Sequence, residues 1–242
     1  MVKESKGTAL VTGGARRIGR ALAKRLAKAG YNIALHYHHS HPEAKQLSEE
    51  LREDEVRCEL FKAQLRDAQS AQSLIESVFD TFPDCCVLIN NASIFERIPF
   101  LETHENDYDR LWDINFRVPF FLTQAFGLRA KSGNVINLLD TKVTQHHSNY
   151  FVYTLNKKVL DDFTRMAAYE LAPYIRVNGV CPGMILPPVD DSEGSAEAMI
   201  ARLPLQRWGK VEEIAEAVCF FVNNPFVTGE TIAVDGGEHL LK

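Results

Sequence analysis

The feature that most constrains this chain is a regular alternation of short apolar runs with amphipathic helical stretches. Ala9–Thr12, Asn32–Tyr37, Val56–Lys62, Val87–Asn90, Asn134–Leu139, Arg176–Val180 and Thr231–Val234 read as strands. Helical periodicity lies between them at Arg17–Lys28, Pro42–Glu53, Ala68–Phe82, Asp107–Phe126, Phe151–Leu171 and Val211–Val222. This alternation predicts an α/β fold: a single Rossmann-type, doubly wound parallel sheet of about seven strands with helices on both faces. Sheets of this kind hold ligands at the carboxyl ends of their strands. The 242 residues suit one domain, 1–242, with no repeat or linker dividing it. The one long irregular stretch is Pro182–Ser195, with Pro187, Pro188, Asp190, Asp191 and Gly194. It reads as the core of a lid loop covering about 183–205.

Charge and cysteine usage narrow the partners. A net charge of −5 gives no general electrostatic attraction to nucleic acid or to an anionic membrane. The five cysteines, Cys58, Cys85, Cys86, Cys181 and Cys219, form no Cys-x-x-Cys pair. They read as small buried apolar residues of a reducing compartment. With a polar opening segment and no run of about 18 apolar residues, the expectation is a cytoplasmic protein.

The turn after the first strand, Thr12-Gly13-Gly14-Ala15-Arg16-Arg17-Ile18-Gly19, opens the first helix. Glycines there allow a pyrophosphate to approach the backbone and meet the free N–H groups of the helix start. Gly13, Arg17, Ile18 and Gly19 are therefore candidate dinucleotide contacts. The second strand ends His36-Tyr37-His38-His39-Ser40, with no Asp or Glu to bind ribose hydroxyls. Arg17, His38, His39 and Ser40 can instead donate to a 2′-phosphate, so NADP(H) is the expected cofactor, and Tyr37 joins this set. The cluster of His36, His38, His39 and His41 lacks a neighbouring Cys or carboxylate before Glu43, and no metal is expected.

Tyr153 and Lys157 stand four apart on one face of a helical stretch. An ammonium beside a phenol favours the phenolate and draws its pKa down from about 10. The pair can therefore hold and release a proton. Asp140 stands thirteen residues before Tyr153. Asp at that point could also serve as a simple loop cap.

Together with Asn90-Asn91-Ala92, Asn115, Pro182-Gly183 and Asp235-Gly236-Gly237, these motifs resemble the short-chain dehydrogenase/reductase family over nearly the whole chain. The resemblance implies a Rossmann domain, usually a homotetramer, with Asn115, Tyr153 and Lys157 as catalytic partners. In that family Tyr donates a proton, Lys holds the ribose and lowers the Tyr pKa, and Asn supports a water linked to the Lys. It also implies cofactor contacts at Asn91, Ala92, Ser93, Lys157, Pro182 and Gly183, and after the third strand at Gln64 and Leu65. Gln64 replaces an Asp that commonly contacts adenine, and its amide oxygen can still accept from the adenine amino group.

Three departures resemble the pteridine reductases and dihydromonapterin reductases. Arg17 replaces a glycine, Ser93 with Phe95 replaces a motif ending in glycine, and Asp140 replaces serine. The resemblance gives Arg17 a contact to cofactor phosphate and substrate, Phe95 a stacking role on the pterin, and Asp140 a share in proton delivery with Tyr153. Ser93 can hydrogen-bond the 2-amino edge. The chemistry is consistent with this. Ketone reduction builds negative charge on oxygen, which a carboxylate opposes, whereas C=N reduction needs a proton on nitrogen. The expected activity is NADPH-dependent reduction of a dihydropterin, or of dihydrofolate. A general carbonyl or 3-oxoacyl reductase is the alternative, and a non-catalytic NADP(H)-binding sensor a more distant one. Trp208 and Met184 read as packing residues, and His146 and His147 as loop residues without a role.

Overall fold

The computed structural model describes residues 5–144, 146, 149–185 and 195–241. Among these, β1 (Thr8–Val11), β2 (Asn32–Tyr37), β3 (Cys58–Lys62), β4 (Cys85–Asn90), β5 (Gly133–Leu138), β6 (Ile175–Pro182) and β7 (Thr231–Val234) form one sheet in the order β3-β2-β1-β4-β5-β6-β7. Every pairing is parallel. The helices are α1 (Arg17–Lys28), α2 (His41–Glu53), α3 (Ala68–Thr81), α4 (Glu105–Trp112), α5 (Val118–Arg129), α6 (Phe151–Leu171), α7 (Ser195–Arg202) and α8 (Val211–Asn223).

Side-chain alternation along the strands divides the core into two layers. Ala9, Val11, Ile33, Leu35, Val87 and Ile89 pack on one face against Leu22 and Leu26 of α1, Leu47 of α2 and Val218 of α8. Leu10, Ala34, Leu88, Val135 and Val177 pack on the other face against Leu74 and Val78 of α3, Leu122 and Phe126 of α5 and Ala167 of α6. Strands covered on both faces are mostly apolar, which is why they stand out in the sequence.

The helical run expected over Asp107–Phe126 is interrupted. A π turn at Asp113–Arg117 separates α4 from α5 and carries the fully buried Asn115. Pro119 explains the break. It has no N–H for the Asn115 carbonyl four residues back, and its ring crowds that carbonyl. Widening the turn by one residue relieves both problems. Helix α7 was not anticipated, and it occupies the end of the expected lid. Residues 186–194 of that lid, with Pro187, Pro188, Asp190, Asp191 and Gly194, lie outside the described residues.

Sheet order fixes the position of the cleft. The chain moves outward from β1 to β3 and returns to β4 on the other side of β1, so neighbouring connections diverge between β1 and β4. A crevice opens at this switch point. His36 braces it. The Gly13 N–H donates to His36 Nδ1 at 3.0 Å, and Nε2 faces the Ala63 carbonyl at 3.1 Å. A backbone N–H only donates, so Nδ1 accepts and Nε2 carries the hydrogen.

Burial holds the His36 pKa down at about 4, so the ring is neutral in the folded protein. The unfolded imidazole takes a proton below about 6.5. Between pH 6.5 and 4 the unfolded state binds the extra proton, so stability falls as pH falls through that window, by on the order of 3 kcal/mol in all. Urea unfolding at pH 7 and pH 5 is expected to show the loss, and His36→Gln is expected to flatten it. An unchanged pH slope in that variant would assign the loss to other groups.

All five cysteines are free, and four of them are buried. No helix among the described residues is long and apolar enough to cross a membrane.

Candidate active site

The crevice is a cleft of roughly 1500 Å³ at the carboxyl ends of β1, β4, β5 and β6. A single small ligand usually occupies about 300–1,000 Å³, so a dinucleotide and a second molecule both have room.

One end is formed by the glycine turn. Gly13 is left-handed at φ +59°, and a Cβ on Gly19 would collide with the Gly13 carbonyl, so the turn folds tightly onto the start of α1. That helix begins with no side-chain cap and no acidic residue in its first turn. Its first N–H groups are left for an anion. Arg17 is also left-handed, at φ +50°. A side chain there costs about 1–2 kcal/mol, strain that glycine would avoid, and Arg17 lines the cleft wall. These features fit the pyrophosphate of a dinucleotide.

Ile18, His38, His39, Gln64, Leu65, Asn91, Ala92, Ser93, Lys157, Pro182 and Gly183 all line the same cleft. The His38 and His39 rings lie 3.5 Å apart. Burial lowers the His38 pKa, and the neighbouring charges of His39 and Lys62 add to the effect. An approaching phosphate would oppose all three. Asn91 is committed locally, since its Nδ2 donates to the carbonyls of Thr12 (2.8 Å) and Gly13 (3.1 Å). It thus fastens the end of β4 to the glycine turn.

Tyr37 and Ser40 do not line the cleft. Tyr37 sits on the opposite face of β2 from His36 and is buried, its hydroxyl 2.7 Å from His41 Nδ1. Ser40 is the residue before α2, beyond the cleft wall.

At the other end, Tyr153 Oη donates to Asp140 Oδ2 at 2.8 Å. Asp140 follows β5 at the head of a short 3-10 turn, Thr141–Thr144, and its Oδ1 accepts the Lys142 N–H at 2.8 Å. The Lys142 ammonium is 3.7 Å from the same oxygen. Lys157 Nζ donates to the Leu138 carbonyl at 2.7 Å, and burial lowers its pKa to about 8 against the pull of Asp140. The expected downward shift of Tyr153 is reversed. Burial raises its pKa well above 10, and the charge and hydrogen bond of Asp140 raise it further. Tyr153 is therefore held as a neutral phenol with its proton on the Asp140 side.

The side chain of Asn115 works on the β4 loop. Its Oδ1 accepts from Ser93 Oγ (2.7 Å) and the Ile94 N–H (3.0 Å), while Nδ2 donates to the Ile94 carbonyl (3.0 Å). The π turn thus fixes the loop that presents Phe95. The Phe95 ring is half exposed, stacked on Tyr150 at 4.2 Å and 13°, and edge-on to Tyr153 at 4.8 Å. One face of Phe95 is already covered by Tyr150. Lys142 Nζ lies 5.6 Å from the Phe95 centroid.

A family model described as enoyl-(acyl carrier protein) reductase, one of the short-chain dehydrogenase models, matches residues 13–239. The chain belongs to the short-chain dehydrogenase/reductase family. The 3-oxoacyl-[acyl-carrier-protein] reductase FabG of Staphylococcus aureus is 34% identical over 241 residues, covering 96% of this chain and 98% of that protein. Pteridine reductase 1 of Leishmania tarentolae is 31% identical, covering 97% and 96%. Among solved structures, FolM alternative dihydrofolate reductase 1 of Brucella canis, complexed with NADP, superposes with a TM-score of 0.93 at 31% identity. That match covers 100% of this chain and 97% of the other.

For a short-chain dehydrogenase/reductase, the sequence motifs point to Tyr153, Lys157, Asp140 and the glycine turn, and the fold brings all of them to one cleft. The motifs missed the groups that complete the walls. Lys142, Tyr150 and Glu238 line the cleft, as do Met184 and Trp208, which had read as packing residues. Tyr150 stands three residues before Tyr153, just ahead of α6, and that spacing was its only local signal. Among the described residues no group of three or more His, Cys, Asp or Glu could hold a metal ion.

Proposed function

We propose that this protein is an NADPH-dependent reductase whose substrate is a dihydropterin or dihydrofolate. The observation that carries the proposal is the 2.8 Å hydrogen bond from Tyr153 to Asp140 beside the half-exposed ring of Phe95. When bound in the cleft, NADPH supplies the hydride that goes to a ring carbon of the substrate. The glycine turn and the start of α1 hold its pyrophosphate, Arg17 and His38 meet the 2′-phosphate, and Lys157 holds the ribose. The carbon that accepts hydride belongs to a C=N bond, so the adjoining nitrogen needs one proton. Tyr153 and Asp140 keep that proton on a shared hydrogen bond, and Lys157 returns charge balance from behind. The face of Phe95 not covered by Tyr150 is suited to an offset-stacked heterocycle.

Reduction of a 3-oxoacyl thioester is the second reading, favoured by the 34% identity to FabG. It places a carboxylate where negative charge would develop on oxygen. The test is NADPH oxidation followed with dihydrobiopterin, dihydromonapterin, dihydrofolate and acetoacetyl thioester as substrates. Turnover of at least one pterin, at a kcat/KM well above that for the thioester, is expected. Turnover of the thioester alone would overturn the proposal.

A further inference from the structure

Glu238 is a buried carboxyl that neither the fold nor the proton-holding pair accounts for. It begins a 3-10 turn, Glu238–Leu240, directly after the Gly236-Gly237 pair that follows β7, and it lines the cleft while only 9% exposed. Its Oε2 has no hydrogen-bond partner among the described residues. A Cβ on Gly183 would stand 3.0 Å from that oxygen, so the carboxyl sits directly against the end of β6. The charged groups around it are Lys142 and Asp140 at the turn after β5 and Asp235 on its own segment, and a backbone hydrogen bond from Met184 reaches it from the segment just beyond β6. Asp235 differs. Its oxygens accept from Thr141, Gly237 and His239, which hold the segment in shape.

An unpaired carboxyl oxygen in a dry wall is costly unless something arrives to pair with it. The turn is already fixed by Asp235, so Glu238 is spare for a ligand. We infer that Glu238 is a substrate-binding residue, its carboxyl accepting an N–H or O–H from the bound molecule and selecting hydrogen-bond donors over apolar acyl chains. This rests on a pterin being the substrate. The dihydropterins carry such donors on the aminopyrimidine edge and, in some, on a hydroxylated side chain. An acyl chain carries none, and gives the carboxyl nothing to accept from.

Kinetics of wild type, Glu238→Gln and Glu238→Leu test the inference. The substrates are dihydrobiopterin, 6-methyl-7,8-dihydropterin (the same ring without hydroxyls) and acetoacetyl thioester. Glu238→Leu is expected to raise KM for dihydrobiopterin at least about tenfold, the range of a hydrogen bond to a charged group. Its kcat and NADPH affinity stay near wild type, and thioester turnover holds or rises. Glu238→Gln, which keeps one acceptor oxygen, should fall between. A KM rise confined to dihydrobiopterin assigns the contact to the hydroxyls; a rise for both pterins assigns it to the ring edge. Either supports the inference. Unchanged KM in a Glu238→Leu protein that still binds NADPH overturns it, and so does a loss confined to NADPH affinity. If Glu238→Leu does not fold, unchanged KM in Glu238→Gln overturns it instead. Wild type that reduces no pterin overturns the parent proposal, and that result is visible before any variant is made.

Discussion

Asp140→Ser is expected to lower dihydropterin turnover by about 10²–10⁴-fold, the usual worth of a positioned proton donor. NADPH affinity should stay within about threefold, because Asp140 stands at the Tyr153 end of the cleft and not at the glycine turn. The effect belongs in kcat, since what is lost is a proton needed only as the C=N bond is reduced. A second consequence separates this from simple disruption. Asp140 contributes to the raised pKa of Tyr153 through both its charge and its hydrogen bond, and it also supports the ammonium of Lys157. Removing it lowers both pKa values, so the alkaline limb of the pH–rate profile should move to lower pH. A serine hydroxyl can donate to an oxyanion, so acetoacetyl thioester reduction should hold or improve. Equal loss on both substrates would mean that Asp140 serves the structure of the turn rather than the choice of substrate.

How far this site could be seen in advance follows from the range of the forces that make it. Tyr153 and Lys157 face one another because the helical period puts them there, and the glycine turn is a local backbone requirement. Both are visible within a few residues. Strand positions were equally plain, since a sheet buried on both faces leaves no room for polar alternation. Tyr37 shows the first limit. It adjoins His36, and successive strand residues point to opposite faces, so one had to leave the cleft. Only the packing of α2 against β2 decides which. Asn115 shows the second. Helical periodicity runs unbroken through it, and the break comes from Pro119, a residue usually tolerated in the first turn of a helix. The third is Glu238, which joins the site from nearly one hundred residues beyond Asp140. Its only local signal is the Asp235-Gly236-Gly237 motif just before it, and its meaning lies in how close its carboxyl sits to Gly183 at the end of β6.

The direction of the Tyr153 shift has the largest bearing on the chemistry. A lysine four residues away suggested an easily ionised phenol, but burial and the Asp140 carboxylate together make the neutral form the stable one. The proton of Tyr153 is therefore present throughout the neutral range, and it is already aimed at Asp140. Tyr153→Phe removes that proton and leaves the Asp140 carboxyl without its 2.8 Å partner. Turnover is expected to fall by about 10²–10⁴-fold, with NADPH affinity retained because the Lys157–Leu138 hydrogen bond does not involve the phenol. If the two groups act as one unit, their losses do not add. The Asp140→Ser/Tyr153→Phe double variant should then be no slower than the worse single variant, within about threefold. Multiplicative losses in the double variant would mean that the two residues contribute independently, one delivering the single proton and the other stabilising the transition state in its own way. Single-turnover measurements with dihydropterin, made at saturating NADPH, distinguish the two outcomes because product release does not mask the chemical step.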